Sequence, residues 1–325
     1  MSTPTPFGAA TTADEVLAGR DLRGTRVLVT GASGGLGLEA ARALAAHGAA
    51  VTLAARDTAK LERAASDVAA NTGNTDVDWL QVDLASLASV REAVRTYAAR
   101  HDRLNVLVNN AGVMASPLAY SADGHEMQFA VCHLGHFLLT CLLVPLLERG
   151  APARVVNLSS GGHKAGNLDF EDPDFRARPY DKWEAYGQAK TANVLFSVEL
   201  TRRLADCGIT ANAVHPGAIA ETDLARHLQR DDFAVLMSRR GPGARMAFKS
   251  LQAGAATSVW AAVTPELAGR GGLYLEDCQV GVPVADTDSG DTGYRHYATD
   301  PAAAQRLWAL SEQMVGEHFT WGGDD

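Results

Sequence analysis

The 325-residue sequence predicts an α/β fold, a doubly wound parallel sheet of about seven strands with helices on both faces. Three observations predict it. Apolar runs of strand length alternate with helical stretches along most of the chain. The first such run enters a glycine-rich turn that opens directly into a helix. The composition, 46% hydrophobic and 21% charged, is that of a globular enzyme, and its many Ala and Gly residues allow helices to pack closely.

Residues 1–22 read as an N-terminal arm, loose to about residue 12. Thr12 then stands three residues before Glu15, the spacing of a capping box on a short helix. From residue 23 to 325 the chain reads as one domain. Arg26 to Thr30 is the first strand, and Leu38 to His47 is the helix after it, stopped at Gly48. Between them lie Gly31, Gly35 and Gly37, spaced G-x-x-x-G-x-G. Glycines here let the backbone turn sharply and approach a pyrophosphate at the positive end of a helix, so the domain reads as dinucleotide-binding.

Ala50 to Ala55 is the second strand and ends at Arg56. An acid at this point suits the ribose 2′-hydroxyl of NAD, whereas an arginine suits the 2′-phosphate of NADP. The expected cofactor is therefore NADP (NADPH) rather than NAD. Asp57 either weakens that argument or caps the helix that starts near Thr58. A third strand, Val77 to Leu84, places Asp83 to meet an adenine or to cap the turn. The helix Ser86 to Arg100 follows. A fourth strand from Leu104 ends in Asn109, Asn110, Ala111 and Gly112, small and amide residues that suit a ligand lying across the strands' carboxyl ends.

Asp123 to Arg149 reads as one long helix. Its most apolar run, Phe137 to Leu147, is interrupted by Pro145 and falls short of the ~20 residues that span a bilayer, so it reads as buried. His125, His133 and His136 lack supporting ligands at metal spacing and read as structural, with no metal site. The fifth strand, Ala153 to Leu158, ends in Ser159, Ser160, Gly161 and Gly162. Ser160 sits where a hydroxyl can donate to a substrate oxygen, or is an ordinary turn serine. Residues 163–182 form a surface excursion.

The helix Trp183 to Cys207 carries Tyr186 and Lys190, four apart and so on one face. A free phenol titrates near ~10 and is a poor acid or base at neutral pH. A neighbouring ammonium pulls that value down, which makes the pair a device for proton transfer. A sixth strand from Ile209 ends at His215, Pro216 and Gly217. Residues 218–250 are the least regular part and read as a substrate lid, with Arg239 to Gly243 at its middle. Ala253 to Val263 is a helix and Gly272 to Leu275 a seventh strand. The C-terminal extension, 280–325, holds a loop and the helix Pro301 to Glu317.

Bulk properties exclude some functions. A net charge of −9 argues against nucleic-acid or anionic-membrane partners. Four cysteines without short spacing form neither a disulfide framework nor a zinc site, and fit a reducing cytoplasmic location. No signal peptide or membrane span is read. The expected partner is a small molecule, moderately apolar if Met114, Leu118 and Trp183 line its pocket. A homo-oligomer remains open.

The ordered set Thr30-Gly31, Gly35, Gly37, Asn109-Asn110-Ala111-Gly112, Ser160, Tyr186, Lys190 and Pro216-Gly217 resembles the short-chain dehydrogenase/reductase family. The match runs from about residue 22 to the terminus. Thr11 to Leu17, Val113-Met114, His133 to Thr140, Ala192 to Phe196 and Leu275 to Cys278 are similar to its retinol-dehydrogenase-like and WW-domain-oxidoreductase-like branch, here without WW domains. The resemblance implies a Rossmann-type fold and NADP-dependent hydride transfer between an alcohol and a ketone or aldehyde. It implies that Tyr186 is the general acid and base, that Lys190 lowers its pKa and binds ribose, and that Ser160 holds the substrate oxygen. Implied cofactor contacts are Gly31, Ser33, Gly35, Leu36 and Gly37 in the turn, then Arg56, Asp83 and Leu84. They continue with Asn110, Ala111, Gly112, Tyr186 and Lys190, and end with Pro216, Gly217, Ile219 and Thr222.

One position departs. Cys132 stands where the family carries the asparagine of its catalytic tetrad, which shapes a helix break and helps hold a water on the lysine. Cysteine is a weak hydrogen-bonding group. Two further readings therefore accompany the first: an NADP-binding protein with weak or no turnover, and reduction of a C=C bond on the same scaffold.

Overall fold

The computed structural model describes residues 6–239, 247–285, 287, 290 and 292–321. Part of the expected lid, 240–246, and with it most of the Arg239 to Gly243 stretch, lies outside the described residues, as do positions 286, 288, 289 and 291 of the C-terminal loop. Six parallel strands carry the fold: β1 Arg26–Thr30, β2 Ala50–Ala55, β3 Val77–Gln81, β4 Val106–Asn109, β5 Ala153–Leu158 and β6 Ile209–His215. Two-residue strands β7 Ala218–Ile219 and β8 Phe248–Lys249, at the two ends of the expected lid, pair with each other. β9 Tyr274–Glu276 joins β6 in parallel, and β10 Gln279–Val280 folds back antiparallel on it. β11 Pro283–Val284 and β12 Tyr294–Arg295 make a second small pair.

The main sheet runs β3-β2-β1-β4-β5-β6-β9-β10, eight strands where about seven were expected. The extra strand follows a two-residue turn in which Asp277 and Cys278 both have positive φ, 51° and 56°. That backbone matches the twist of a tight hairpin, but the pair lacks the Asn-Gly or Asp-Gly signature that announces one. The result is a Rossmann-like α/β fold. Strand order reverses at β1 and β4, which leaves a crevice at their carboxyl ends.

Alternation along each strand sends side chains to two cores. Val27 and Val29 of β1 face one, with α1 Ala13–Leu17, α2 Gly35–Ala46 and α3 Thr58–Thr72. Leu28 faces the other, with α4 Leu87–Arg100. Thr12 and Glu15 form the expected capping box on α1. Asp57 caps α3, one of its two expected roles, by accepting from the Lys60 amide at 3.0 Å.

The long helix differs from its expected form. Asp123 lies outside it and accepts from the Leu87 amide. Glu126 caps the true start by accepting from the Phe129 amide. α5 Met127–Phe129 then runs into a π-helical turn, Ala130–Leu134, and continues as α6 Gly135–Arg149. By length and composition this 23-residue run is apolar enough to cross a membrane, a test the shorter Phe137 to Leu147 run did not meet. Yet 83% of its apolar window is buried inside the protein, which is the environment of a core helix.

The Tyr186 helix, α7 Lys182–Leu204, starts one residue before the expected Trp183. Asp181 caps it through the amides of Trp183 and Glu184. Residues Ala205–Cys207, expected as its last turn, form a 3₁₀ turn. Within the expected lid, α8 Arg230–Arg239 supplies order that the sequence pattern did not show. α9 Leu251–Val263 joins the first core. α10 Pro301–Val315 docks by aromatic contacts, Trp308 meeting Phe137 edge to face at 5.0 Å. Such pairs contribute about 0.5–1.5 kcal/mol beyond their area.

Candidate active site

The carboxyl ends of β1 to β6 open into one cleft of about 2070 Å³. At its nucleotide end, Gly31 and Gly35 have φ of +66° and +57°, conformations that a side chain rarely adopts. A Cβ on Gly37 would stand 2.6 Å from the Gly31 carbonyl and 2.4 Å from Asn110 Nδ2, so only glycine lets α2 pack this close to β1. Gly34 caps α2 without a side-chain hydrogen bond, which leaves the helix's first amides facing the cleft. This cradle fits a pyrophosphate.

Thr30 organises the turn. Its Oγ1 accepts the amides of Asn110 and Ala111 at 2.9 and 3.1 Å, and Asn110 Nδ2 donates to the Thr30 carbonyl at 2.8 Å. Asp83 accepts from the Ala85 amide at 3.0 Å, which caps its turn, and it also lines the cleft. Arg56 is exposed at the cleft wall near Lys60.

At the other end, α7 places Tyr186 and Lys190 one turn apart, with Lys190 Nζ 5.7 Å from the phenol ring centroid. Lys190 Nζ donates to the Leu158 carbonyl at 2.9 Å, and Asn193 Nδ2 donates to the same oxygen at 2.9 Å. Ser160 caps a 3₁₀ turn, Gly161–Ala165, by accepting from the Gly162 amide. A Cβ on Gly162 would lie 2.8 Å from Tyr186 Cε1, so the serine turn packs directly on the phenol.

The expected pull of Lys190 on the phenol is present, and burial opposes it. Burial pushes the Tyr186 pKa above its ordinary value. The Lys190 ammonium and a hydrogen bond with Ser160 pull it down, but burial outweighs both in the cofactor-free protein.

Cys132 and Gly37 are the two expected site residues that do not line the cleft. Gly37 lies behind the glycine turn. Cys132 is fully buried at the centre of the π-helical turn, with its thiol 3.5 Å from the Val113 carbonyl. A Cβ on Gly112 would lie 3.5 Å from that sulfur and 3.6 Å from Lys190 Nζ, so the thiol backs the wall beside the lysine. The helix break thus forms around a cysteine. The other expected residues, Gly31, Ser33, Gly35, Leu36, Arg56, Asp83, Leu84, Asn110, Ala111, Gly112, Ser160, Tyr186, Lys190, Pro216, Gly217, Ile219 and Thr222, all border the cleft. So do Met114 and Trp183; Leu118 is not among the lining residues and is 43% exposed.

Sequence reading missed the residues that hold these groups. His163 Nδ1 donates to the Ser160 carbonyl at 2.7 Å, and its Nε2 accepts the Arg295 amide at 3.2 Å. Burial lowers its pKa to about 4, so it is neutral in this role. His215 Nδ1 accepts the amides of Gly161 and Gly217 and joins the serine turn to the Pro216-Gly217 turn. Placement three residues from a candidate, as for His163 after Ser160 and Asn193 after Lys190, was the available signal. The three histidines weighed for metal have other partners: His125 meets Asp174, His133 meets Ser311, and His136 lies between Thr30 and Cys132. Among the described residues no three His, Cys, Asp or Glu side chains gather as a metal site.

Comparison with known proteins gives a consistent result. Residues 25–232 match the family model for short chain dehydrogenase. The chain is 42% identical over 293 residues to Retinol dehydrogenase 13 of Homo sapiens, covering 90% of this chain and 85% of that protein. It is 41% identical over 324 residues to the WW domain-containing oxidoreductase of Danio rerio, covering 98% and 74%. Among solved structures, Pseudomonas aeruginosa RhlG in an NADP active-site complex matches with a TM-score of 0.61 and 27% identity, covering 83% of this chain and 97% of that one.

Proposed function

Because the chain belongs to the short-chain dehydrogenase family, we propose that it interconverts an alcohol and a ketone or aldehyde with NADP(H), using Tyr186 as general acid and base. The observation that carries this reading is the convergence of Ser160, Tyr186 and Lys190 on the cleft that also holds the glycine cradle. Gly31, Gly35 and the α2 amides would hold the pyrophosphate, with Asn110 and Ala111 beside the adenosine half. Lys190 would meet the nicotinamide ribose, and Pro216, Gly217, Ile219 and Thr222 the nicotinamide end. When bound, NADPH supplies the hydride. The protein's own part is proton transfer and charge stabilisation. Ser160 and Tyr186 aim two hydroxyls at the substrate oxygen, where negative charge develops. The phenol gives up its proton in reduction and recovers one in oxidation. Met114, Pro117, Met127, Val131 and Trp183 give the substrate end an apolar wall, which suits a small, moderately apolar carbonyl compound. Four free cysteines suit a reducing, cytoplasmic setting.

The preference for NADP rests on Arg56, with Ala55 where an acid would stand and one Asp57 oxygen taken up by its helix cap. Hydrogen bonds to charged groups contribute about 1.5–3 kcal/mol, so Arg56→Ala is expected to raise the KM for NADPH by about tenfold to a hundredfold. The KM for NADH should stay unchanged. A parent enzyme that works better with NADH would contradict the assignment.

A second reading, cofactor binding with little turnover, is favoured by one observation: the tetrad position holds a thiol bonded only weakly, at 3.5 Å, to the Val113 carbonyl. Cys132→Asn separates the two. The π-helical turn already forms with cysteine, so the substitution is expected to change kcat by less than about threefold. A rise of about tenfold or more would favour the low-turnover reading.

A further inference from the structure

His136 is buried at the start of α6, and both of its ring nitrogens are engaged. Nδ1 lies 3.1 Å from the Cys132 carbonyl, and Nε2 lies 2.8 Å from Thr30 Oγ1. A carbonyl only accepts, so Nδ1 carries the hydrogen and Nε2 accepts from the Thr30 hydroxyl. Burial keeps the ring neutral, its pKa lowered to about 4. The hydroxyl's other acceptor, the Val108 carbonyl, is farther at 3.4 Å; with its hydrogen given to His136, Thr30 Oγ1 keeps its two lone pairs for the Asn110 and Ala111 amides. At the other end, a π-helical turn opens the regular helix ladder, and Cys132 sits at its centre. The same residue's thiol backs the Gly112 wall beside Lys190. An imidazole buried without partners is costly, and a side chain needed only for filling space would be apolar.

We propose that His136 is a positioning residue that links the two halves of the cleft. Through Nε2 it fixes the Thr30 hydroxyl that organises the cofactor turn. Through Nδ1 it fixes the Cys132 carbonyl and so the floor beneath Lys190 and Tyr186. The kinetic half of this proposal rests on the oxidoreductase reading; the cofactor half does not.

Two near-isosteric variants separate the functions. His136→Asn keeps a donor near the Nδ1 position, and His136→Gln keeps an acceptor near Nε2. The readouts are the NADPH dissociation constant from fluorescence without substrate, kcat at saturating NADPH, and the thermal midpoint. One neutral hydrogen bond sets the scale of the effects. His136→Asn is expected to weaken NADPH binding about tenfold and leave kcat within about threefold. His136→Gln is expected to leave binding within about threefold and lower kcat about tenfold. Thr30→Val, which also removes the acceptor of the Asn110 and Ala111 amides, should lose at least as much binding as His136→Asn, and adding His136→Asn to it should lose no more. Equal losses of binding and rate in both His136 variants, or no change in either, would overturn the proposal. If both fail to fold, Thr30→Val decides, and unaltered NADPH affinity in it overturns the proposal. If no carbonyl compound is turned over, the oxidoreductase reading fails, while binding to the Thr30 and His136 variants still decides the cofactor half.

Discussion

Tyr186→Phe is expected to lower kcat/KM for carbonyl reduction by about 10²–10⁴-fold, the range of positioned proton transfer. NADPH binding should stay within about threefold of the parent value. The substitution removes one oxygen and leaves the ring, which is wedged beneath the Gly162 turn, so the packing survives. Steady-state kinetics beside fluorescence titration of NADPH checks both parts. The direction of the phenol's pKa gives the loss an asymmetry. Burial holds the group protonated in the cofactor-free protein, which suits a proton donor in reduction. Oxidation requires the phenolate, so it depends on the Lys190 ammonium, the Ser160 hydrogen bond and the positive charge of the oxidised cofactor together.

Lys190→Met should therefore damage oxidation most. Among the influences that lower the Tyr186 pKa, the Lys190 charge is the largest. Its removal is expected to cut alcohol oxidation at neutral pH by about 10²-fold or more. Methionine preserves the buried stem, and Asn193 still satisfies the Leu158 carbonyl at 2.9 Å. The thermal midpoint should consequently shift by only a few degrees, about the effect of 1 kcal/mol. A variant that oxidises alcohols near the parental rate would remove the lysine from the mechanism. A variant that fails to fold would instead show that its ammonium holds β5 to α7.

The fold and most of the cleft were legible because they rest on local signals. The buried parallel strands read as continuous apolar runs, and the glycines mark positions where a Cβ has no room, Gly31 and Gly37, or where φ is positive, Gly35. Arg56, Asp83, Ser160 and Tyr186 all lie where a strand or helix delivers them to one edge. What was not legible depends on tertiary contact. The β9–β10 turn uses Asp277 and Cys278 at positive φ without a glycine to announce it. The start of α5 is set by Glu126 rather than Asp123, because Asp123 is drawn to the α4 amide of Leu87. The opposition to the phenol's acidity was not legible, because the sequence shows Lys190 four residues away but not the depth of burial. His136 read as structural and His163 went unremarked, since each ring joins a nearby carbonyl to one distant group, Thr30 for His136 and Arg295 for His163.

The central claim is that Tyr186 moves the proton on the substrate oxygen, and alcohol oxidation at saturating NADP⁺ tests it most directly as a function of pH. The account predicts that kcat rises with pH through one ionisation, at a value below the ~10 of a free phenol, because all three lowering influences then act together. It also predicts that this ionisation is absent in Tyr186→Phe. A profile that keeps the same ionisation and rate after the phenol oxygen is removed would contradict it.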